Sequence, residues 1–146
     1  MKFLKGYFDD EQTLAEWKDK TDNYLDYLER HKNYFSEDFY DFLKSGDFHD
    51  AKVRKVIIDG YDTHDKTDDL FVNLTLVIES EDKSYTITYL KVSKFSLESL
   101  IEFGYGIEDI LIEECLITES GYAHELVFVG ARSWCIACKD IVMQVN

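Results

Sequence analysis

The sequence predicts an α+β fold: two N-terminal helices packed on an antiparallel meander sheet of about six strands. Three observations predict it. Apolar residues recur at spacings of three and four up to about residue 45, then at a spacing of two from residue 52 onward. The links between successive apolar runs in the second part are short and polar, which requires antiparallel neighbours, because parallel ones need a long crossover. Finally, 146 residues with 45% hydrophobic and 15% aromatic content suffice for one core and leave little room for two. A single domain over 1–146 is expected, mainly helical over 1–46 and mainly antiparallel β over 47–146.

Residues 1–8 read equally well as a short strand or an irregular lead-in. From about Asp10, Leu14, Trp17, Thr21, Tyr24 and Leu28 mark the apolar stripe of an amphipathic helix whose other face is charged. Asp10 or Thr13 is its cap, the latter forming a Thr-x-x-Glu box with Glu16, and the helix should end near His31 to Asn33. A second helix follows. Ser36 stands at its N-cap, Glu37 and Asp38 in a first turn where the helix dipole favours acids, Lys44 in the last turn and Gly46 at its close. Phe39, Phe42 and Leu43 form the stripe that should lie on the sheet.

Lys52 to Asp59 is a β-branched run and the first long strand. Leu70 to Glu79 and Ser84 to Ser93 alternate cleanly, joined by a tight Glu81-Asp82-Lys83 turn, with Tyr85, Ile87 and Tyr89 sharing one face. Lys94 to Tyr105 fits a helical turn or an irregular edge, closed by Gly104 and Gly106. Asp109 to Glu119 resumes strand character with Ile110, Ile112 and Leu116 on one face and Leu111, Cys115 and Ile117 on the other. Ser120-Gly121 turns into Tyr122 to Val129, and Gly130 to Ser133 turns into a last strand, Trp134 to Val145, with Lys139-Asp140 as a bulge. The chain has no proline to blunt an edge strand, so a free edge on that last strand would favour a homodimer.

Composition narrows the functional classes. Thirty acidic residues against sixteen basic ones leave a net charge of −14. The excess is spread, with thirteen carboxylates against seven bases in residues 1–50 and seventeen against nine in the remainder. Such a surface repels phosphate backbones and anionic lipids and attracts a basic protein. No apolar run approaches the ~20 residues that span a bilayer, and the first eight residues lack the apolar core of a secretory signal. Three cysteines, an odd number, suit a reducing compartment. The cytoplasm is the expected location.

Four constellations bear on chemistry. His49-Asp50, the one His-Asp pair, sits where helix gives way to strand. A metal-dependent or ligand-binding enzyme would use His49, Asp50 and His124, but the remaining histidines do not converge on the pair in sequence, and hydrogen bonding to nearby backbone is the favoured role. Cys135-Ile-Ala-Cys138 has redox or zinc-knuckle spacing, yet residues three apart on a strand face opposite ways, so buried structural thiols are expected. The adjacent Glu113 and Glu114 also face opposite ways, and Glu125 should share a face with one of them. The aspartates between Asp59 and Asp69 lack the spacing of a calcium loop. No nucleophile elbow or phosphate-binding glycine loop occurs, so no catalytic, cofactor or metal residue is assigned and the enzyme question leans to no.

Two N-terminal helices, Phe-His-Asp-Ala-Lys-Val opening the sheet, Ile-Glu-Glu-Cys-Leu-Ile-Thr-Glu and a terminal Ile-Ala-Cys-Lys-Asp-Ile strand together resemble small acidic bacterial domains of unknown function related to immunity proteins of polymorphic toxin systems. The resemblance covers about residues 36–146 and does not include the long first helix. It implies a cytoplasmic protein that neutralises a basic toxin domain, such as a nuclease, by tight binding, without catalysis and without a cofactor. The expected contact residues are Asp59, Asp62, Asp65, Asp68, Asp69, Glu98, Glu102, Glu108 and Asp109. The alternatives are the small enzyme built on His49, Asp50 and His124, and a structural homodimer.

Overall fold

A computed structural model of the chain describes residues 1–6, 12–45, 48–60, 72–80, 83–98 and 109–146, and the backbone alone of 101–102 and 106–107. The expected Asp10 cap, the Gly46 helix stop and the centre of the Glu81-Asp82 turn lie outside these residues. Helix α1 spans Leu14–Arg30 and α2 spans Glu37–Ser45, with a single 3-10 turn at Lys32–Tyr34 between them. Thr13 caps α1 through the expected box: its hydroxyl accepts the Glu16 N–H at 3.3 Å while the Glu16 carboxylate accepts the Thr13 N–H at 2.8 Å. Leu14, expected on the apolar stripe, is 88% exposed, a turn before Trp17, the first residue of the helix that packs against the core.

Strands β1 (Lys52–Gly60), β2 (Val72–Glu79), β3 (Ser84–Leu97), β6 (Ile110–Thr118), β7 (Gly121–Phe128) and β8 (Ser133–Val145) form one antiparallel sheet; β4 (Ile101–Glu102) and β5 (Gly106–Ile107) make a separate small pair. The predicted α+β class and six-stranded antiparallel sheet are present. The order is β1-β2-β3-β8-β7-β6, two three-stranded meanders joined along β3 and β8. Residues 94–97 continue β3 instead of turning helical, because Phe95 and Leu97 find partners in Ile136 and Trp134 of β8. The last strand, expected at an edge, is interior over Ser133–Cys138, paired with β3 on one side and β7 on the other, whereas from Asp140 to Val145 it pairs with β3 alone among the described strands. The free edge on which the expected homodimer rested is therefore confined to the second half of the strand.

Bulges set the curvature. The shift between β3 and β8 falls between Val92 and Lys94, while Leu90–Asp140 and Val92–Cys138 keep one register, so the expected bulge at Lys139-Asp140 is instead a break in alternation: β8 points Trp134, Ile136 and Cys138 inward, then skips to Ile141 and Met143. Opposite it, Lys91 adopts φ 53°. A second bulge, at Leu111, falls where Ile110 pairs with Phe128 and Ile112 with Val127. Ile110 is buried as a result and Ile112 turns to the opposite face, which corrects the expectation that they share one. Bulges strengthen the local twist, and here the sheet curls until diagonally opposite corners touch. Lys52 of β1 bridges Asp109 beside β6, the Asp50 N–H donates to the Ile110 carbonyl at 2.9 Å, and the Ile110 N–H donates to the Ala51 carbonyl at 2.8 Å.

The concave face holds the core. Leu74, Leu76, Ile78, Tyr85, Ile87 and Leu126 are buried there against Phe39, Phe42 and Leu43 of α2 and against Phe48. Helix α1 lies along the β6 edge. Its Tyr24 hydroxyl accepts the Cys115 N–H and its Tyr27 hydroxyl accepts the Ile117 N–H, both at 2.8 Å, so outward-facing amides of the edge strand are covered by a helix. Among the described residues, no helix is long and apolar enough to cross a membrane.

Candidate functional site

The turn between α2 and β1 carries His49-Asp50. His49 Nδ1 lies 3.1 Å from Asp50 Oδ2, and both side chains are mostly exposed. Asp50 takes φ 67°, a left-handed conformation that aspartate tolerates better than most residues. Through its N–H it ties the turn to Ile110. The pair ends the helical layer and seats β1 beside β6.

His124 is elsewhere, fully buried on the concave face of β7. Its Nδ1 is 2.8 Å from the Tyr89 hydroxyl and its Nε2 is 3.0 Å from Glu113 Oε2. With the Tyr89 O–H donating to Nδ1 and Nε2–H donating to the carboxylate, the chain is satisfied by a neutral imidazole in one tautomer. The side chains come from three strands, β3, β7 and β6. Burial pushes the Tyr89 phenol well above its ordinary pKa, reinforced by Cys115, Glu113 and Cys138 nearby. The sequence placed Tyr89 on one face with Tyr85 and Ile87, and His124 within a strand, but did not join them to Glu113. The available signal was that His124 shares strand parity with the inward Leu126 and Phe128.

Glu113 also lines a cavity of about 410 Å³. Helix α1 contributes Trp17, Thr21, Tyr24 and Leu25, the end of α2 contributes Leu43, Lys44 and Ser45, and Leu4, His49, Leu111 and Ile112 complete the wall. Of the three residues held in reserve for an enzyme, the structure brings His49 to this cavity and places His124 behind its carboxylate wall. Asp50 stays with His49 on the exposed turn. Among the described residues, no group of three or more His, Cys, Asp or Glu side chains is arranged to hold a metal ion.

Glu113 and Glu114 do face opposite ways, and Glu125 pairs with Glu114 across the hairpin. That pair grips the first residues of the chain. Glu114, 1% exposed, accepts N–H groups from Lys2, from Phe3 at 2.8 Å and from Leu4 at 2.8 Å, while Glu125 takes the Met1 ammonium. Residues 1–6 are thus an irregular lead-in, anchored by Glu114 and Glu125.

The cysteines divide by face: Cys135 is exposed, Cys138 and Cys115 buried. Burial, with the nearby Asp140 carboxylate, pushes the Cys138 thiol up to about 12, and burial raises Cys115 well above its ordinary value. A thiol protonated at neutral pH is neither nucleophile nor ligand.

Of the expected contact acids, Asp59 is exposed near the end of β1. Glu98 has structural work: its carboxylate accepts the Ser133 N–H at 2.6 Å and its carbonyl accepts the Trp134 indole N–H at 2.7 Å. Asp109 pairs with Lys52 at 3.2 Å, where the sheet corners meet. Asp62, Asp65, Asp68, Asp69 and Glu108 lie outside the described residues, as does the side chain of Glu102. The exposed carboxylates missed as a group are on the helices: Glu16, Asp19, Asp22, Asp26 and Glu29 of α1, and Glu37, Asp38 and Asp41 of α2.

No family model, curated protein or solved structure matches the chain.

Proposed function

We propose that this chain is a cytoplasmic binding protein of the immunity type, which neutralises a basic toxin domain such as a nuclease by occluding it. The observation that supports the reading is the helical layer. Its eight exposed carboxylates stand against five bases, Lys18, Lys20, Arg30 and Lys44 on the helices and Lys32 in the 3-10 turn between them. Two of these are already engaged by acids, Lys18 with Asp22 at 2.6 Å and Lys44 with Glu29 at 3.8 Å. A field of this sign speeds encounter with a basic surface and disfavours acidic competitors. Glu98 and Asp109 are occupied in holding the sheet together, so the helices join the remaining expected acids as the proposed contact surface.

The test is capture of a basic protein from the native host, followed by kinetics with the triple variant Glu37→Lys/Asp38→Lys/Asp41→Lys. These residues are exposed, so the fold should survive. Association should slow by about tenfold or more at low ionic strength and lose most of its salt dependence. Failure to recover any basic partner, or a triple variant that binds at the unaltered rate, would sink the proposal.

A further inference from the structure

We infer that the free edge of β1 pairs antiparallel with the same edge of a second copy of this chain, centred on Ile57, to give a twofold-symmetric dimer with one continuous sheet. This concerns a different surface from the acidic helices and does not rest on the basic-partner reading. Of the two outer strands, β6 is covered by α1 through Tyr24 and Tyr27. Among the described residues β1 has no such cover: beyond the Lys52 bridge to Asp109, its one strand partner is β2. The strand also has no proline to blunt it.

The ladder shows which backbone groups are open. An antiparallel ladder turns its N–H and C=O groups to alternate sides residue by residue. The Ser80 N–H donates to the Lys83 carbonyl at 3.0 Å, so Ile78 exchanges bonds with Tyr85 of β3, and Val77, Thr75 and Asn73 turn theirs to β1. Their partners Lys55, Ile57 and Asp59 face β2, which leaves Val56 and Ile58 with their N–H and C=O groups directed outward. The side chains of these two continue the core face beside Leu76 and Leu74, which are fully buried, yet they are 37% and 50% exposed. Two β1 strands centred on Ile57 set each Val56 against the Ile58 of the other copy, and each such pair can exchange two hydrogen bonds.

Charge selects this register. It sets Lys55 opposite the Asp59 of the other copy on both sides of an Ile57–Ile57 contact, in the non-hydrogen-bonded pairs where side chains lie closest. Neither has an ion-pair partner among the described residues, whereas Lys52 and Arg54 are engaged by Asp109 at 3.2 Å and Glu79 at 2.6 Å. Centring on Val56 would put Lys55 against Ile57, centring on Ile58 would put Asp59 against Ile57, and either loses both charge pairs. A lysine on an edge ordinarily deters pairing. Matched by Asp59, it deters other strands and accepts this one. Each copy spends its β1 edge in the contact, so the assembly closes at two.

The test is sedimentation equilibrium of the intact chain in about 0.15 M salt, which screens the general repulsion between copies of net charge −14. A contact this short lies below the standard interface size, so a dissociation constant of about 10–100 μM is expected. Lys55→Asp and Asp59→Lys each set like charges opposite one another and should weaken the dimer about tenfold or more, whereas an equimolar mixture of the two variants restores both opposite-charge pairs and should dimerise about as strongly as the parent. Ile58→Pro removes an N–H that β2 does not use and should abolish dimerisation. A parent chain that stays monomeric up to about 1 mM, association that continues past the dimer, single variants that dimerise like the parent, or a mixture no stronger than its components would each overturn the inference. Undiminished dimerisation by a folded Ile58→Pro chain would do the same, and if that variant does not fold, the mixing experiment decides.

Discussion

The Tyr24 hydroxyl lies 2.8 Å from the backbone nitrogen of Cys115, so a helix side chain completes the hydrogen bonding of an edge strand. Tyr27 repeats the contact at Ile117, one turn further along the helix and two residues further along the strand. This pairing is why α1 sits beside β6 instead of over the centre of the sheet. It also covers an edge that has no proline to blunt it.

Tyr24→Phe should keep the ring packing and strand the Cys115 N–H in a buried position. A loss of about 1–3 kcal/mol is expected, read as a lower urea midpoint with an unchanged slope. A variant as stable as the parent would show that the hydroxyl contributes nothing net.

The Tyr89–His124–Glu113 chain should behave as a unit. Glu113→Leu alone leaves the His124 Nε2–H without an acceptor and should cost about 3 kcal/mol. The triple change Tyr89→Phe/Glu113→Leu/His124→Phe removes every polar member and should recover most of that loss. Additive destabilisation by the three substitutions would contradict the coupling.

Glu114→Ala removes the acceptor shared by three consecutive amides. Hydrogen exchange should lose protection at Phe3 and Leu4, while the interior strands β3 and β8 keep theirs. Retained protection at those two amides would mean that packing of Phe3 against Tyr24 and Tyr27 holds the segment by itself.

Alkaline pH should unfold the protein, and the sign follows from the raised groups. Cys115 and Cys138 are raised from an ordinary thiol value of 9.0, and Tyr24 and Tyr89 from an ordinary phenol value of 10.0, all chiefly by burial. Below pH 9 both states keep these protons, and the groups add no pH dependence. Above it the unfolded chain releases protons that the folded chain retains, so stability falls as pH rises, by up to about 1.4 kcal/mol per pH unit for each fully buried group. The decline continues until the folded groups ionise, at about 12 for Cys138. A urea midpoint that stays flat between pH 8 and pH 10.5 would contradict this.

Thiol labelling should separate the cysteines. At pH 8 the native chain should react rapidly at Cys135 only, because a Cys138 thiol with a pKa of about 12 is ionised to about one part in ten thousand. In urea all three should react. Rapid native labelling of Cys115 or Cys138 would place them nearer solvent than their burial implies.

Local pattern and long-range contact were legible to different degrees. The alternation through Tyr85, Ile87 and Tyr89, the Thr13–Glu16 box and the opposed faces of Cys135 and Cys138 were readable because each depends on residues a few positions apart. The Leu111 bulge was not, since an extra residue changes parity without changing composition. The acids were hardest to assign. Nothing local distinguishes Glu113, which meets a histidine inside the core, from Glu114, which meets the first residues of the chain. Glu98 and Asp109 looked like solvent-facing charge until their partners, Ser133 and Lys52, came from distant segments.

By itself, then, the sequence determined the helices, the strands and most inward-facing residues, because side-chain period and capping are short-range and survive without knowledge of neighbours. Only the tertiary structure decided the strand order, which placed β8 at the centre and flanked its first half on both sides. It also decided the meeting of Lys52 with Asp109 and the enclosure of Glu113 beside a cavity. Pairing partners are chosen by how the bulged strands curl and by what the helices can cover, and those quantities belong to the whole assembled sheet.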